Sequence, residues 1–308
     1  MIEITNITEY IKTVSKFERG IDKTVFYRGQ TKIYIGDNQP QASIFRQYGK
    51  MQRSKAEYEK KFYYEAITRF PHEFEGMSSI DRLAKMQHYG WPTRLLDFSR
   101  KPLIALYFAC EDAYDDKCEK GVVYVKITSY PDKLEGEGTL SYDSDRALML
   151  GCLARMTLKE QQMIKKFAER LATLDDVRIN EGTLKNADLE TQNAFGKFYS
   201  EVRRERNAFS KYNTRPQDLL NSFMLSPQFH KVQNERLSIQ DGAFCIVGLN
   251  NEPLIDTTKT MIISVNAKKE ILKDLDKLGI NFAFIYGDLS SVARYVVQQV
   301  VEECSKIS

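Results

Sequence analysis

An arginine closing an apolar run makes a ready contact for phosphate, and this chain has one in Val25-Phe26-Tyr27-Arg28-Gly29-Gln30. Arginine keeps its charge and offers a planar fork of donors to phosphate oxygens, and a following glycine lets a ligand or a second backbone approach closely. The aromatic and β-branched run predicts a strand that delivers Arg28 and Gly29 to its end. A structural reading stands beside this one, in which Arg28 pairs with a buried carboxylate such as Asp97.

A second stretch, QHYGWPTRLLDFSRKPLIALYFAC from Gln87 to Cys110, sets polar groups at the mouth of an apolar segment. Upstream, Ser78 and Asp81 have the spacing of a capping box. Ile80, Leu83, Ala84, Gln87 and His88 then follow a helical period, which places Gln87 and His88 on the core-facing stripe until Gly90 and Pro92 end the helix. A core-facing His88 suits a hydrogen-bonded structural role, with Gln87 as its partner or as a clamp on the Gly90 turn. Tyr89 offers a stacking face. Arg94 and Asp97 lie three apart in an extended run, so their side chains leave opposite faces and need other partners. Ser99 and Pro102 open a helix running to about Tyr114.

Two further stretches carry polar groups. In NERLSIQDGAF, Gln240 and Asp241 precede Gly242 and a strand, with Asn234, Glu235 and Arg236 upstream. They form either one edge of a site or a turn held by side-chain-to-backbone hydrogen bonds. In VRRERNAFSKYNTR, Arg203, Arg204, Arg206, Lys211 and Arg215 interleave with Phe209 and Tyr212. That run either grips single-stranded nucleic acid or forms a solvated helix face.

The elements that must position these groups are legible in outline. Strand signals occur near residues 25, 95, 122, 244, 262 and 282, too few on either flank for a covered sheet alone. Helical patterns cover residues 54–70, a segment opening on the Thr157–Glu160 capping box, residues 267–278 closed by Gly279, and a final amphipathic stretch carrying Leu289, Val292, Val296 and Val300. The expectation is an α/β (α+β) fold with a mixed sheet, in which residues 1–140 and 227–308 form one discontinuous domain and 141–226 a helical insertion.

With 45 Lys and Arg against 42 Asp and Glu, the net charge of +3 excludes wholesale coating of nucleic acid or of an anionic membrane. The five cysteines form no CxxC pair and no zinc-like spacing, so they are expected as reduced thiols, with no metal. The opening residues lack a basic start before an apolar core, and no apolar run is long enough to span a bilayer, so a cytoplasmic protein without a membrane span is expected.

Together FYRGQ, QHYGWPTRLLDFSRKPLIALYFA and ERLSIQDGAF resemble, in order, the three signature blocks of the FRG domain family, over roughly residues 20–290. Their layout is also similar to the Arg, Ser, Glu order of ADP-ribosyltransferases. That resemblance implies an ADP-ribosyltransferase-like mixed sheet in which Arg28 holds a phosphate of NAD, the Ser99 strand shapes the nicotinamide pocket, and an acidic group stabilises an oxocarbenium-like transition state. Gln240 stands where the glutamate is expected, with Asp241 beside it and Glu235 five residues earlier. Either Asp241 or Glu235 supplies the charge, or the site follows a different logic, or it only binds. On this reading Arg28, Gly29, Tyr89, Arg94 and Ser99 line the NAD cleft, Arg28, Gln240 and Asp241 form the catalytic set, and Gln240 or Asp241 lies nearest the reacting ribose. The implied activity is transfer from NAD to a macromolecular acceptor, protein or nucleic acid, in a toxin or anti-phage effector. The alternative is a non-catalytic module that recognises a nucleotide or a partner.

Overall fold

Runs of β-branched and aromatic residues become strands here because their alternate side chains can be covered on a sheet face. The structure is a computed structural model, and it describes residues 1–17, 23–33, 40–46, 54–129, 139–174, 176–207, 209, 214–225, 239–252 and 256–307. Its strands are β1 (Ile2–Ile4), β2 (Lys23–Gln30), β3 (Leu95–Ser99), β4 (Gly121–Ser129), β5 (Thr139–Leu140), β6 (Phe223–Leu225), β7 (Gly242–Ile246) and β8 (Asp256–Ile263). They form one mixed eight-stranded sheet in the order β1-β8-β4-β2-β3-β7-β6-β5, parallel at its two outermost pairs and antiparallel between. With its many helices this is an α+β fold.

In chain order the helices are α1 (Ile7–Phe17), α2 (Glu59–Arg69), α3 (Pro71–Phe74), α4 (Ser79–His88), α5 (Pro102–Cys110), α6 (Asp145–Cys152), α7 (Leu158–Ala172), α8 (Glu181–Lys185), α9 (Leu189–Glu205), α10 (Gln217–Leu220), α11 (Val265–Lys277), α12 (Phe282–Tyr286) and α13 (Leu289–Ile307). Both expected capping boxes form. The Ser78 hydroxyl accepts from the Asp81 amide and the Asp81 carboxylate accepts from the Ser78 amide, and Thr157 and Glu160 do the same for α7. None of the described helices is long and apolar enough to cross a membrane.

One expectation is corrected outright. INFAFIY, read as a strand for its aromatic and β-branched content, contains α12 instead: Asn281 caps it by accepting from the Phe284 amide at 3.0 Å, and Gly287 at φ +66° closes it. Cap and stop signals thus outweigh residue type over a segment this short. Conversely β1, β5 and β6 escape sequence reading, since runs of two or three residues show no period.

Two apolar clusters cover the sheet. One joins Tyr27, Val123, Val125, Met261 and Ile263 to α1, α5, α11 and α12. The other joins Leu95, Phe223, Leu225, Phe244 and Ile246 to α2, α4, α6, α7, α9 and α10. Residues 141–226 therefore pack into the same core as α4 and β3, and they supply β6 as a strand beside β7. Directly paired residues share a sheet face, and alternation along each strand places Leu95, Asp97, Ser99 and Tyr27 on one side. Both helical layers consequently cover that side, and the space between them is where a site can open.

Candidate functional site

β2 pairs with β4 along its full length and β3 pairs with β7 along its own, but β2 and β3 meet at a single position, Tyr27 opposite Ser99. Twisted strand ribbons joined at one point splay apart. Here the splay opens a cleft of about 260 Å³, lined by Arg28 and Gly29 from β2, Asp97 and Ser99 from β3, Gln87 and His88 from the end of α4, and Gln240, with Phe98, Phe108 and Phe244 as apolar walls.

Arg28 reaches across the split, its Nη1 donating to the backbone carbonyl of Asp97 at 2.7 Å. The expected buried ion pair between the two residues is not formed. The Asp97 carboxylate is exposed and accepts from Gln87 Nε2 at 3.0 Å. Gln87 also accepts from the Thr93 hydroxyl and lies 3.4 Å from the Leu95 carbonyl, so it is a clamp spanning the Gly90 turn. Because Asp97 is exposed and holds one neutral partner, Asp97→Ala is expected to cost about 1 kcal/mol or less. Urea denaturation of the variant measures this directly, and a loss near 3 kcal/mol would restore a bracing role.

His88 is also corrected: it is exposed on the cleft wall rather than core-facing. Met86 is the last buried residue of α4, and the apolar stripe leaves the core as the helix ends. The placement of His88 and Asp97 in the cleft is what sequence reasoning missed. Their signal was proximity in sequence to the Gly90 turn, which folds the end of α4 back on β3.

Of the residues expected to gather with Arg28, Gly29, Ser99 and Gln240 do so, while Tyr89, Arg94 and Asp241 do not line the cleft. Ser99 acts as a brace, its Oγ lying 2.5 Å from the Gln240 carbonyl and accepting from the Lys101 amide at 2.9 Å. The Gln240 side chain is tied to the Ile285 carbonyl at 3.0 Å. Asp241 is a turn residue at φ +46° whose carboxylate takes a two-pronged contact from Arg100, at 2.7 and 3.1 Å. Asn234, Glu235 and Arg236 lie outside the described residues.

Arg94 is completely buried, because its guanidinium is committed to structure. Nε and Nη2 bond the two carboxylate oxygens of Glu59 at 2.7 and 2.5 Å, and Nη1 reaches the Val247 carbonyl at 3.2 Å. Tyr89, 66% exposed, lines a neighbouring recess. Gly29 serves backbone rather than ligand: a Cβ there would stand 1.8 Å from the Ala105 carbonyl oxygen on α5.

Other chemistry proposed from sequence finds structural partners. Arg204, Arg206 and Arg215 pair with Glu201, Asp145 and Asp218, but the run is one helix face only as far as Glu205, the end of α9; Phe209 is buried and the Arg215–Asp218 pair is partly buried, while Lys211 and Tyr212 lie outside the described residues. Cys110, Cys118, Cys152 and Cys245 are free thiols. Burial pushes the Cys110 and Cys152 thiols up to about 12, which leaves both protonated and poor nucleophiles near neutral pH.

Residues 23–118 match the family described as the FRG domain. No curated protein and no solved structure matches the chain. The matched span holds both lips of the cleft, Arg28 and Asp97, together with Gln87 and His88, whereas Gln240 falls beyond it. This chain therefore carries an FRG domain, over residues 23–118, within an α+β fold.

Proposed function

We propose that the cleft binds a phosphorylated nucleotide, with NAD as the candidate substrate, and transfers its ADP-ribosyl group to a macromolecular acceptor. The observation that carries this reading is the juxtaposition of a guanidinium and a carboxylate, Arg28 and Asp97, on the two lips of one splayed sheet, with His88 beside them. Arg28 has the charge and fork geometry for a phosphate. Asp97 replaces Gln240 and Asp241 as the acidic group, since the first is neutral and the second is bound to Arg100 outside the cleft.

The transfer breaks the bond between the nicotinamide nitrogen and the anomeric ribose carbon, and the bonding pair leaves with nicotinamide. The acceptor's nucleophilic atom bonds that carbon and gives up its proton, which Asp97 or His88 can take. A carboxylate close to the ribose stabilises the positive charge that develops there. Gln87 holds Asp97 by a hydrogen bond, which limits its side-chain freedom before substrate arrives.

Calorimetric titration of NAD, paired with an assay for nicotinamide release in the presence of lysate or total nucleic acid, tests the reading. Arg28→Ala should weaken NAD at least tenfold, about 1.4 kcal/mol. Asp97→Asn should bind NAD nearly as well as the parent and lower nicotinamide release about 100-fold. Binding that survives Asp97→Asn with no release from either protein would favour the non-catalytic recognition module. No binding of any nucleotide would reject the cleft as a nucleotide site.

A further inference from the structure

The cleft of about 260 Å³ lies below the range of about 300 to 1,000 Å³ that pockets for drug-sized ligands occupy, and a dinucleotide is large among such ligands. A second recess of about 300 Å³ adjoins it, lined by Phe70, Glu73, Phe74, Lys85, Tyr89 and Trp91. Consecutive residues separate the two: His88 lines the cleft, Tyr89 lines the recess, and their rings meet edge to face with centroids 4.9 Å apart.

The recess has the chemistry of a base-binding site. Phe70 and Tyr89 are 52% and 66% exposed, so large aromatic faces stand in solvent at its mouth with no fold-level need to be there. Its polar edge is a carboxylate and an ammonium. Lys85 Nζ bonds Glu73 at 2.6 Å and the Glu73 carbonyl at 2.7 Å, and it sits 5.7 Å from the centre of the Phe74 ring. The other wall is rigid: the Trp91 amide donates to the Met86 carbonyl at 2.9 Å, pinning the turn that begins at Gly90 with φ +78°. Flat rings stack on such faces, and the Glu73 carboxylate can accept from an exocyclic amine at the ring's edge.

We infer that this aromatic recess takes the adenine ring of the dinucleotide whose other half occupies the cleft. The inference rests on the nucleotide reading of the cleft and adds to it a second subsite, with the His88–Tyr89 pair as the wall over which the ligand passes. It also gives Tyr89 a stacking role in a subsite separate from that of Arg28.

Trp91 is the only tryptophan of the chain, so its emission reports on the recess alone. The full chain is titrated with NAD, AMP, nicotinamide mononucleotide and a short single-stranded RNA, following tryptophan emission and calorimetry in parallel. NAD and AMP should quench emission, while nicotinamide mononucleotide should bind by calorimetry without quenching. Tyr89→Ala and Phe70→Ala, both at exposed positions, should each weaken NAD about fivefold or more and leave nicotinamide mononucleotide unchanged. NAD binding that depends on Arg28 but leaves emission and the Tyr89→Ala affinity unaltered overturns the recess and leaves the cleft standing. Quenching by RNA alone overturns it as well and assigns the recess to a macromolecular base. Absence of any calorimetric binding removes the cleft reading, and this subsite with it.

Discussion

Arg94→Ala is expected to destabilise the protein by about 3 to 5 kcal/mol, the cost of leaving a buried charge without its partner. Glu59 is 2% exposed, and without the guanidinium its carboxylate keeps only the Gln161 side-chain amide, at 2.9 Å. Arg94→Lys should also be destabilising, since a single ammonium cannot serve Glu59, Gln161 and the Val247 carbonyl together as the planar fork does. A double change to well-packed apolar residues at 59 and 94 should recover much of the loss, because the pair offsets its own desolvation rather than adding net stability. Urea denaturation of the four proteins reads all of this. A variant that loses nucleotide affinity at unchanged stability would return Arg94 to the binding site.

Gly29→Ala carries the next largest expectation, a loss of about 3 kcal/mol or more, at the upper end of what overpacking costs. The new methyl would meet the Ala105 carbonyl oxygen at 1.8 Å, the Ala105 carbonyl carbon at 2.7 Å and the Ala109 amide nitrogen at 2.9 Å. All three are backbone, so no side chain can move aside, and β2 would have to lift off α5. Ala105→Gly should therefore give no rescue, which distinguishes a backbone clash from a side-chain one. Because the same shift carries Arg28 with it, nucleotide affinity should fall along with stability. A variant as stable as the parent would mean that β2 and α5 are less tightly apposed than described.

The sequence by itself determined most elements where local chemistry suffices. The capping boxes at Ser78 and Thr157, the stop at Gly279, and the strands around Phe26, Leu96, Val123, Phe244 and Ile262 all depend on residues a few positions apart, and each forms as expected. It also singled out Arg28 and Gly29 and the stretch after Gly90, parts of which line one cleft. Local pattern could not decide which polar groups share that site, because this depends on how two strand ribbons meet. β2 and β3 pair as strands only at Tyr27 and Ser99, and that single pairing opens the cleft that His88 and Asp97 line. Similarly, Arg94 is a buried partner because Glu59, 35 residues earlier in the chain, reaches it through the packing of α2, and Asp241 leaves the cleft because Arg100 holds it in a turn. Charge and spacing identify the groups able to do chemistry; long-range packing selects which of them are consumed by the fold and which face the open space.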